Sequence, residues 1–313
     1  MRVGPGDDCA VLDAGPLAFT CDASVEDVHF RRDWLAPEEV GWRAGAASLS
    51  DLAAVAARPL ALLVSLAVCE EDAASGWAAA VARGLDGVAR EAGAAVVGGD
   101  LTRSPGPAFV DVVAVGRVDS PVLRDGARPG DELWVTGALG AAGAAVRLLA
   151  AGRPLPGALR EAFARPTPRW REAAWLHERV PLHALIDLSD GVLGDAGHLA
   201  AASGARLELD LWRLPLAPAL LAVVEDGGER LALAQGAGED YELLLAVPAG
   251  AVAPLAAPFQ ERFGIALTRV GLVVEGEGVW TRAEEGGEPA PAGGGFDHFG
   301  VGREGSRRSS KRP

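Results

Sequence analysis

The chain is poor in the residues on which several classes of protein depend. Cysteine occurs three times among 313 residues, at Cys9, Cys21 and Cys69, and no CxxC pair is present. This wide spacing predicts neither a disulfide framework nor a zinc site, and a reducing cytoplasm is the default location. The longest strongly apolar stretch, Leu60 to Cys69, has half the length of about 20 residues that a membrane helix needs. No basic region followed by an apolar core opens the chain, so we expect no signal peptide and no membrane partner.

Positive charge is also scarce. The chain has 29 Lys and Arg against 43 Asp and Glu, which gives a net charge of −14. A phosphate backbone attracts a basic face, so this balance argues against nucleic acid as the main partner. The hydrophobic fraction of 49% and the charged fraction of 23% are ordinary for a globular protein. At this length we expect two domains, each large enough to bury a core of its own.

Aspartate, by contrast, recurs in one local setting, where a short apolar run meets a turn beside Gly, Ser or Thr. Open α/β sheets present ligand-binding groups at strand ends of this kind. If several of these carboxylates converge, two of them about 5 Å apart repel by roughly 3 kcal/mol at an effective dielectric near 20. Few basic residues lie beside them, so Mg²⁺, which prefers oxygen ligands, is the expected compensation. The segments are Gly6-Asp7-Asp8, Thr20-Cys21-Asp22, Leu49-Ser50-Asp51, Gly98-Gly99-Asp100, Asp187-Leu188-Ser189-Asp190 and Gly238-Glu239-Asp240.

Strand-like and helix-like segments alternate along the chain, which predicts a two-domain α/β or α+β protein. We place an N-terminal domain at residues 1–118, a C-terminal α/β domain at 119–302 and a disordered tail at 303–313. A segment rich in Gly, Pro and charge, Arg117 to Asp131, marks the boundary between the domains. The predicted helices are Pro37–Val55, Glu70–Glu91, Ala141–Ala151 and Gly191–Ser203, and the predicted strands are Val11–Leu12, Leu17–Thr20, Leu60–Val68, Ala94–Val97 (buried), Phe109–Val118, Glu132–Thr136, Ala184–Ile186, Arg206–Leu211, Tyr241–Val247 and Ala266–Val273.

The segment from Asp187 to Gly191 is the sharpest local motif. A strand delivers it, and the helix that follows presents unpaired amides and a positive dipole end. Asp187 or Asp190 could hold Mg²⁺ while Ser189 or the nearby amides touch a nucleotide phosphate. The alternative is that Ser189 or Asp190 only caps the helix, which explains one of these residues but not all three.

Two further acidic motifs each allow two interpretations. The glycines before Asp100 let the backbone approach a ligand closely, although a tight turn with a solvated acid would look the same. Asp51 lies inside a predicted helix, beside an apolar face, and there it needs a partner. Metal ligation is one possibility, and a buried salt bridge to Arg43 or Arg58 is the other.

The remaining motifs are less specific. The Gly-rich run 137–143 follows a predicted strand, but its spacing is neither that of a dinucleotide-binding turn nor that of a P-loop, which favours close strand–helix packing. His29 and His298 could each polarise a substrate phosphate, although a lone histidine is more often structural. The eight tryptophans are scattered and form no base-stacking stripe.

Taken together and in this order, the motifs resemble those of the thiamine-monophosphate kinase family, in the superfamily typified by aminoimidazole-ribotide synthetase. The resemblance implies an aminoimidazole-ribotide-synthetase-like fold, with an N-terminal mixed sheet that binds ATP and metal and a C-terminal α/β domain. It also implies a homodimer whose N-terminal sheets combine across the interface. The matching segments are Gly6–Val11, Asp22–Phe30, Leu49–Ala54, Gly98–Arg103, Gly126–Asp131, Arg165–Pro168, Asp187–Gly191, Gly238–Leu243 and Gly295–Phe299.

The resemblance implies a reaction in which the γ-phosphoryl group of ATP passes to thiamine monophosphate, giving thiamine diphosphate. A phosphate monoester carries about −1.5 to −2 charges at pH 7, so its oxygen needs no general base, and we expect no catalytic base. The barrier is repulsion between two anions plus alignment, which several Mg²⁺ ions overcome. Carried over to this chain, the metal ligands are Asp8, Thr20, Asp22, Asp51, Asp100, Asp187 and Asp190, the ATP contacts are Gly99, Asp100, Arg124 and Ser189, and the substrate contacts are His29, Glu239 and the ring of Phe296.

Two features depart from the family pattern. Family members carry a further segment before Gly-Asp-Asp, so we expect a truncated or misassigned start here and, with it, impaired activity. Cys21 stands where the family has Thr before a metal-binding Asp, and we expect it to offer only its backbone carbonyl. The alternatives are another ATP-dependent synthetase of the superfamily, or a non-catalytic relic that binds magnesium or nucleotide. Cys9 is a poor match for the reactive cysteine of the selenophosphate branch.

Overall fold

The first sheet is formed by the N-terminal part of the chain. The computed structural model describes residues 10–13 and 15–293. The strands are β1 (Ala10–Asp13), β2 (Pro16–Val25), β3 (Arg58–Val68), β4 (Ala95–Arg103) and β5 (Phe109–Arg117), and the helices are α1 (Pro37–Ala54), α2 (Glu70–Ser75) and α3 (Trp77–Glu91). The strand order is β1-β2-β5-β3-β4. Only β3 and β4 are parallel, because the two helices that connect them form a crossover.

One face of this sheet is covered by helices and the other is open. Val110, Val112 and Ala114 alternate along β5 as fully buried residues, which is the period of a strand with one packed face. Thr20 pairs with Ala114 and Asp22 with Val112. Directly paired residues share a face of the sheet, so Thr20 and Asp22 lie on the helix-covered side.

Helix α1 packs on α3 almost backbone to backbone. A Cβ added to Gly41 would lie 1.9 Å from the Val81 carbonyl oxygen, and one added to Gly84 would lie 1.9 Å from the Glu38 carbonyl oxygen. Glycine at both positions is what permits this approach. Helix α1 begins with Pro37 in its first turn, where a missing N–H costs nothing.

The second sheet follows after a 3₁₀ turn at Arg124–Gly126. Its strands are β6 (Glu132–Thr136), β7 (Ala184–Asp187), β8 (Arg206–Asp210), β9 (Leu243–Val247), β10 (Leu267–Val274), β11 (Gly278–Arg282) and β12 (Ala290–Ala292), and its helices are α4 (Ala141–Ala150), α5 (Gly157–Ala164), α6 (Trp170–His177), α7 (Val192–Ser203), α8 (Pro218–Leu221), α9 (Gly227–Gly236) and α10 (Ala256–Phe263). The order is β12-β11-β8-β10-β6-β9-β7. Every residue of β9 is buried, because separate apolar cores cover the two faces of the sheet.

Helix α1 lies where the two sheets meet. It packs on β2, β5 and α3, and also on α6 and β7 of the second sheet. Ala53, near its end, belongs to the same core as Leu243 and Leu245 of β9. The side chains of α1 therefore reach both sheets.

The predicted elements are present, and two of them differ from expectation. The helix predicted over Glu70–Glu91 is broken at Gly76, whose φ of 86° ends α2 and begins α3. The strand predicted at Ala94–Val97 is not buried: β4 extends to Arg103, pairs only with β3 and is exposed along its whole length. An apolar run does not reveal whether its strand lies at the edge of a sheet, which is why burial was wrongly expected here.

The two mixed sheets with their helices confirm the α/β fold class. Within the described ranges, none of the helices combines the length and the hydropathy that crossing a bilayer requires.

Candidate active site

Three carboxylates from three separate elements come together where the sheets meet. Asp22 lies on the helix-covered face of β2, Asp51 lies near the end of α1, and Asp187 ends β7. Asp187 is only 2% exposed, whereas Asp22 and Asp51 are half-buried. These three acids, predicted from separate motifs, are therefore brought to one place by the fold.

The carboxylates act on one another electrostatically. Burial raises the pKa of Asp22 to about 6, and the charges of Asp187, Asp111 and Asp190 add to that effect. Burial and the charge of Asp187 raise the pKa of Asp51 well above its usual range. The pKa of Asp187 is raised as well, chiefly by burial. Like charges held this close favour any cation that enters between them.

Two more acids extend the group from the loop after β7 into α7. The Asp195 side chain accepts a hydrogen bond of 3.1 Å from the backbone N–H of Asp190. Burial raises the pKa of Asp195 to about 8, and the charges of Asp187 and Asp190 contribute. We name Asp22, Asp51, Asp187, Asp190 and Asp195 the carboxylate cluster. Arg124, predicted to contact ATP, lies close enough to lower the pKa of both Asp187 and Asp195.

Two hydroxyl groups support the cluster. Thr20 on β2 donates a hydrogen bond to Oδ2 of Asp51. Ser50 on α1 donates to Oδ2 of Asp187 over 2.6 Å, and both residues are buried. Thr20, predicted as a metal ligand, thus lies beside the carboxylate cluster and donates to one of its acids, Asp51.

The loop that carries Ser189 is bonded directly to the loop that carries Glu239. The Glu239 N–H donates to the Ser189 carbonyl over 2.8 Å, and the Tyr241 N–H donates to the Leu188 carbonyl over 2.9 Å. Glu239 and Tyr241 have φ values of 61° and 51°, a region that non-glycine residues rarely occupy and that clusters at functional sites. A predicted ATP contact and a predicted substrate contact therefore belong to one bonded unit.

Glu239 borders a cavity of about 580 Å³. The cavity wall combines alanines, such as Ala138, with charged side chains of both signs, among them Glu239, Asp240, Arg165 and Arg169. An apolar wall with a few charged groups suits an organic ligand that itself carries charge. His29, the other described residue predicted to face the substrate, lies in the turn after β2, where its Nδ1 accepts from the Val25 N–H over 3.1 Å.

Asp100 and Gly99 lie apart from the cluster in this chain. Both are on the exposed edge strand β4, where Asp100 is in register with Ser65 of β3. Over the described ranges no hydrogen bond or ion pair joins Asp100 to the carboxylate cluster. A Cβ on Gly99 would lie 1.9 Å from the Val64 carbonyl oxygen, so glycine is needed for close strand pairing at this position.

Other assignments lie beyond what the structure describes, or take a different partner. Asp8, Phe296, His298 and the tail at 303–313 fall outside the described residues. Cys21 directs its Sγ to Oδ1 of Asp111 at 3.1 Å.

The donor set of the cluster fits Mg²⁺. In residues 15–293, no group of three or more His, Cys, Asp or Glu side chains is arranged as a ready metal site. Mg²⁺ does not require one, because it usually keeps several waters and binds one or two carboxylates together with substrate phosphates. Carboxylates that raise one another's pKa supply both the oxygen ligands and the negative potential that such an ion needs.

The sequence analysis assigns no site role to three residues that bond the predicted ones, namely Asp195, Ser50 and Arg43. Ser50 and Arg43 take partners distant in the sequence, Asp187 and Glu239, so local spacing carries no signal for them. Asp195 could have been identified from the sequence, because it is an acid on the buried face of an apolar helix.

Comparisons with known proteins give the chain its family. Residues 6–118 match the family model described as AIR synthase related protein, N-terminal domain. The thiamine-monophosphate kinase of Rhodopirellula baltica is 36% identical over 295 residues, which cover 90% of this chain and 86% of that protein.

Solved structures that superimpose on the chain come from the same family as these relatives. The thiamine-monophosphate kinase of Stenotrophomonas maltophilia superimposes with a TM-score of 0.79 at 34% identity, over 90% of this chain and 91% of that one. AaThiL complexed with AMPPCP and TMP superimposes with a TM-score of 0.80 at 32% identity, over 94% and 91% of the two chains. The chain therefore belongs to the thiamine-monophosphate kinase family.

Proposed function

We propose that this member of the kinase family phosphorylates thiamine monophosphate with ATP and Mg²⁺, and that the carboxylate cluster holds the metal. The observation that carries the proposal is the convergence of Asp22, Asp51 and Asp187 from β2, α1 and β7. The complex of AaThiL with AMPPCP and TMP supports the pair of substrates. AMPPCP is an analogue of ATP, and TMP here is the acceptor, thiamine monophosphate.

When bound, Mg²⁺ neutralises charge on the phosphates and holds donor and acceptor in line. Asp22, Asp51, Asp187 and Asp190 of the carboxylate cluster would hold it, and the proposed set also includes Asp8, Thr20 and Asp100. Ser189 and the free amides at the start of α7 bind the nucleotide phosphates. Arg124, which lies near Asp187, balances their charge.

Glu239 binds the cationic part of the acceptor at the cavity, with His29 and Phe296 as further contacts. The acceptor phosphate is already an anion, so the chain needs to orient it rather than deprotonate it. The bonded loops of Ser189 and Glu239 fix the two substrates relative to each other.

The reaction is tested by mixing purified protein with ATP, Mg²⁺ and thiamine monophosphate, measuring ADP release and identifying the product by chromatography. Wild type should form thiamine diphosphate. Asp187→Asn should reduce kcat/KM at least about 100-fold, since a residue that stabilises charge in the transition state contributes on this scale. Asp86→Asn, on the exposed face of α3, is the matched control. Absence of product from wild type would contradict the proposal.

Asp100 remains a proposed contact of metal and ATP, supported by the family motif. The same assay tests it with Asp100→Ala. A loss comparable to that of Asp187→Asn would support a role in the site, and unchanged kinetics would remove Asp100 from the ligand set.

The open face of the first sheet supports a homodimer. It exposes Leu63 at 41% and Phe109 at 36%, and exposed apolar side chains grouped on one face mark interaction sites. We propose that a second copy covers this face. Leu63→Lys should convert a dimer to a monomer in sedimentation, and a monomeric wild type would contradict the assignment.

Two further proposals concern the domain boundary and the cellular location. The family model ends at residue 118 and the first sheet ends with β5 at Arg117, which supports domains at 1–118 and 119–302. Use of ATP supports a cytoplasmic location. Limited proteolysis tests the boundary, and a tagged chain tests the location.

A further inference from the structure

One hydrogen bond of Ser50 connects the helix that covers the first sheet to a strand of the second sheet. Ser50 lies on α1, which covers the first sheet, and its Oγ donates to Oδ2 of Asp187 at the end of β7 in the second sheet. The distance is 2.6 Å, Ser50 is fully buried and Asp187 is 2% exposed. Water therefore does not compete for this bond.

The bond is not one that a serine makes by default in a helix. Inside a helix, serine usually points to solvent or bonds a carbonyl one turn earlier. Ser50 instead reaches a carboxylate 137 positions along the chain. A donor on Oδ2 restricts the rotation of the carboxyl group and so sets the direction of the other oxygen, Oδ1.

The same helix provides an internal comparison. Ser48 is also fully buried, and its Oγ donates to the Val112 carbonyl of β5 over 3.0 Å. That bond joins α1 to its own sheet and touches no member of the carboxylate cluster. The two serines thus share residue type, helix and burial, but only Ser50 bonds an acid of the site.

We infer that Ser50 is a positioning residue, which orients the Asp187 carboxylate so that its second oxygen faces the metal and the ATP phosphates. The inference rests on the proposed function, because it assigns Asp187 to the metal. Groups that hold a metal ligand in place typically contribute about 10–100-fold to metal affinity. Removal of the hydroxyl should weaken metal binding more than it destabilises the fold.

The test is Mn²⁺ binding to the full chain, followed by loss of the free-ion paramagnetic resonance signal, with and without AMPPCP. Ser50→Ala should raise the Mn²⁺ dissociation constant by about 10-fold or more, and Ser48→Ala should leave it within about twofold. Ser50→Cys, which keeps the volume and a weak donor, should fall between Ser50→Ala and wild type. It also serves as the test variant if Ser50→Ala does not fold. The melting temperature in EDTA, measured for each variant, reports any purely structural effect.

The outcomes separate the two claims. Wild type that binds Mn²⁺ beside a Ser50→Ala protein of equal affinity would overturn the inference and leave the proposed function intact. Equal weakening by Ser48→Ala and Ser50→Ala would also overturn it, since the hydroxyl would then serve only the packing of α1. Wild type that binds no Mn²⁺ would contradict the proposed metal site and the inference together.

Discussion

Arg43 of α1 and Glu239 of the loop before β9 form an ion pair between the two halves of the molecule, with Nη2 and Oε1 2.5 Å apart. The Arg43 side chain is 7% exposed, donates a second hydrogen bond to the Phe163 carbonyl and stacks on the Phe163 ring. Arg43 is thus committed to Glu239, while Asp51, for which a salt bridge to Arg43 was one expectation, receives the hydroxyl of Thr20.

The first prediction concerns that ion pair. Arg43→Met should raise the KM for thiamine monophosphate about tenfold, or ~1.4 kcal/mol, because Glu239 loses the group that holds it at the cavity. The KM for ATP should change much less. Arg160→Met is the control, since Arg160 also bonds α1, through Glu39, but does not contact the cavity residue. Equal effects on both substrates would show that Arg43 only supports the fold.

The second prediction concerns stability without metal. Asp22→Asn removes a charge that the neighbouring acids disfavour, so the protein in EDTA should melt at a higher temperature than wild type, by about 2–4 °C for each kcal/mol gained. Catalysis should be lost in the same variant, which is the usual exchange between stability and function at an active site. Calorimetry in EDTA checks the melting temperature, and the ADP-release assay checks the loss of catalysis. A lower melting temperature in EDTA would mean that the Asp22 charge is already compensated within the chain.

The third prediction is a pH dependence of stability. Asp240 accepts hydrogen bonds from the Gly140 N–H, and burial raises its pKa from 3.8 to about 8. Because the folded pKa lies above the unfolded one, the folded state binds more protons in this window, and stability falls as pH rises from 3.8 towards 8. Asp240→Asn should flatten the profile of melting temperature against pH and exceed wild type at pH 8.

The control for that profile is Asp226→Asn. Asp226 also accepts a backbone N–H, at the start of α9, but it is exposed. This variant should leave the shape of the profile unchanged. An Asp240→Asn profile parallel to that of wild type would contradict the assignment.

The fourth prediction concerns a buried ion pair under the Glu239 loop. Arg169 donates to both oxygens of Glu242 over 2.8 and 2.6 Å, and Thr136 donates to the same carboxylate over 2.7 Å. Arg169→Met leaves Glu242 buried without its cation and should cost about 3–5 kcal/mol of unfolding free energy in urea. Arg83→Met, which breaks an exposed pair with Glu38, should cost less than about 1 kcal/mol. Similar losses in both variants would contradict this account.

How far the sequence predicts the molecule depends on the range of the interaction. Pro37 with Glu38 and Glu39 marks the start of α1 correctly, because capping is a matter of neighbouring residues. Asp22 and Asp187 were identifiable because each follows a predicted strand beside small residues, and Asp51 because an acid beside the apolar face of a helix needs a partner. Ser50 and Arg43 were not, since each takes its partner from the other half of the chain.

The exposure of β4 escaped prediction for a related physical reason. Its apolar residues look like those of a buried strand, and only the order of strands in the sheet reveals that it lies at an edge. The same holds for Asp100, whose motif resembles the family pattern although its strand places it away from the cluster in the single chain.

The glycine contact between α1 and α3 has a mechanical consequence. With Gly41 and Gly84 bringing the two backbones together, α1 can neither slide along α3 nor rotate about its own axis without driving carbonyl oxygens into the neighbouring helix. Arg43, Ser50 and Asp51 therefore belong to a unit of two interlocked helices, and any motion that displaces these side chains with α1 has to carry α3 as well.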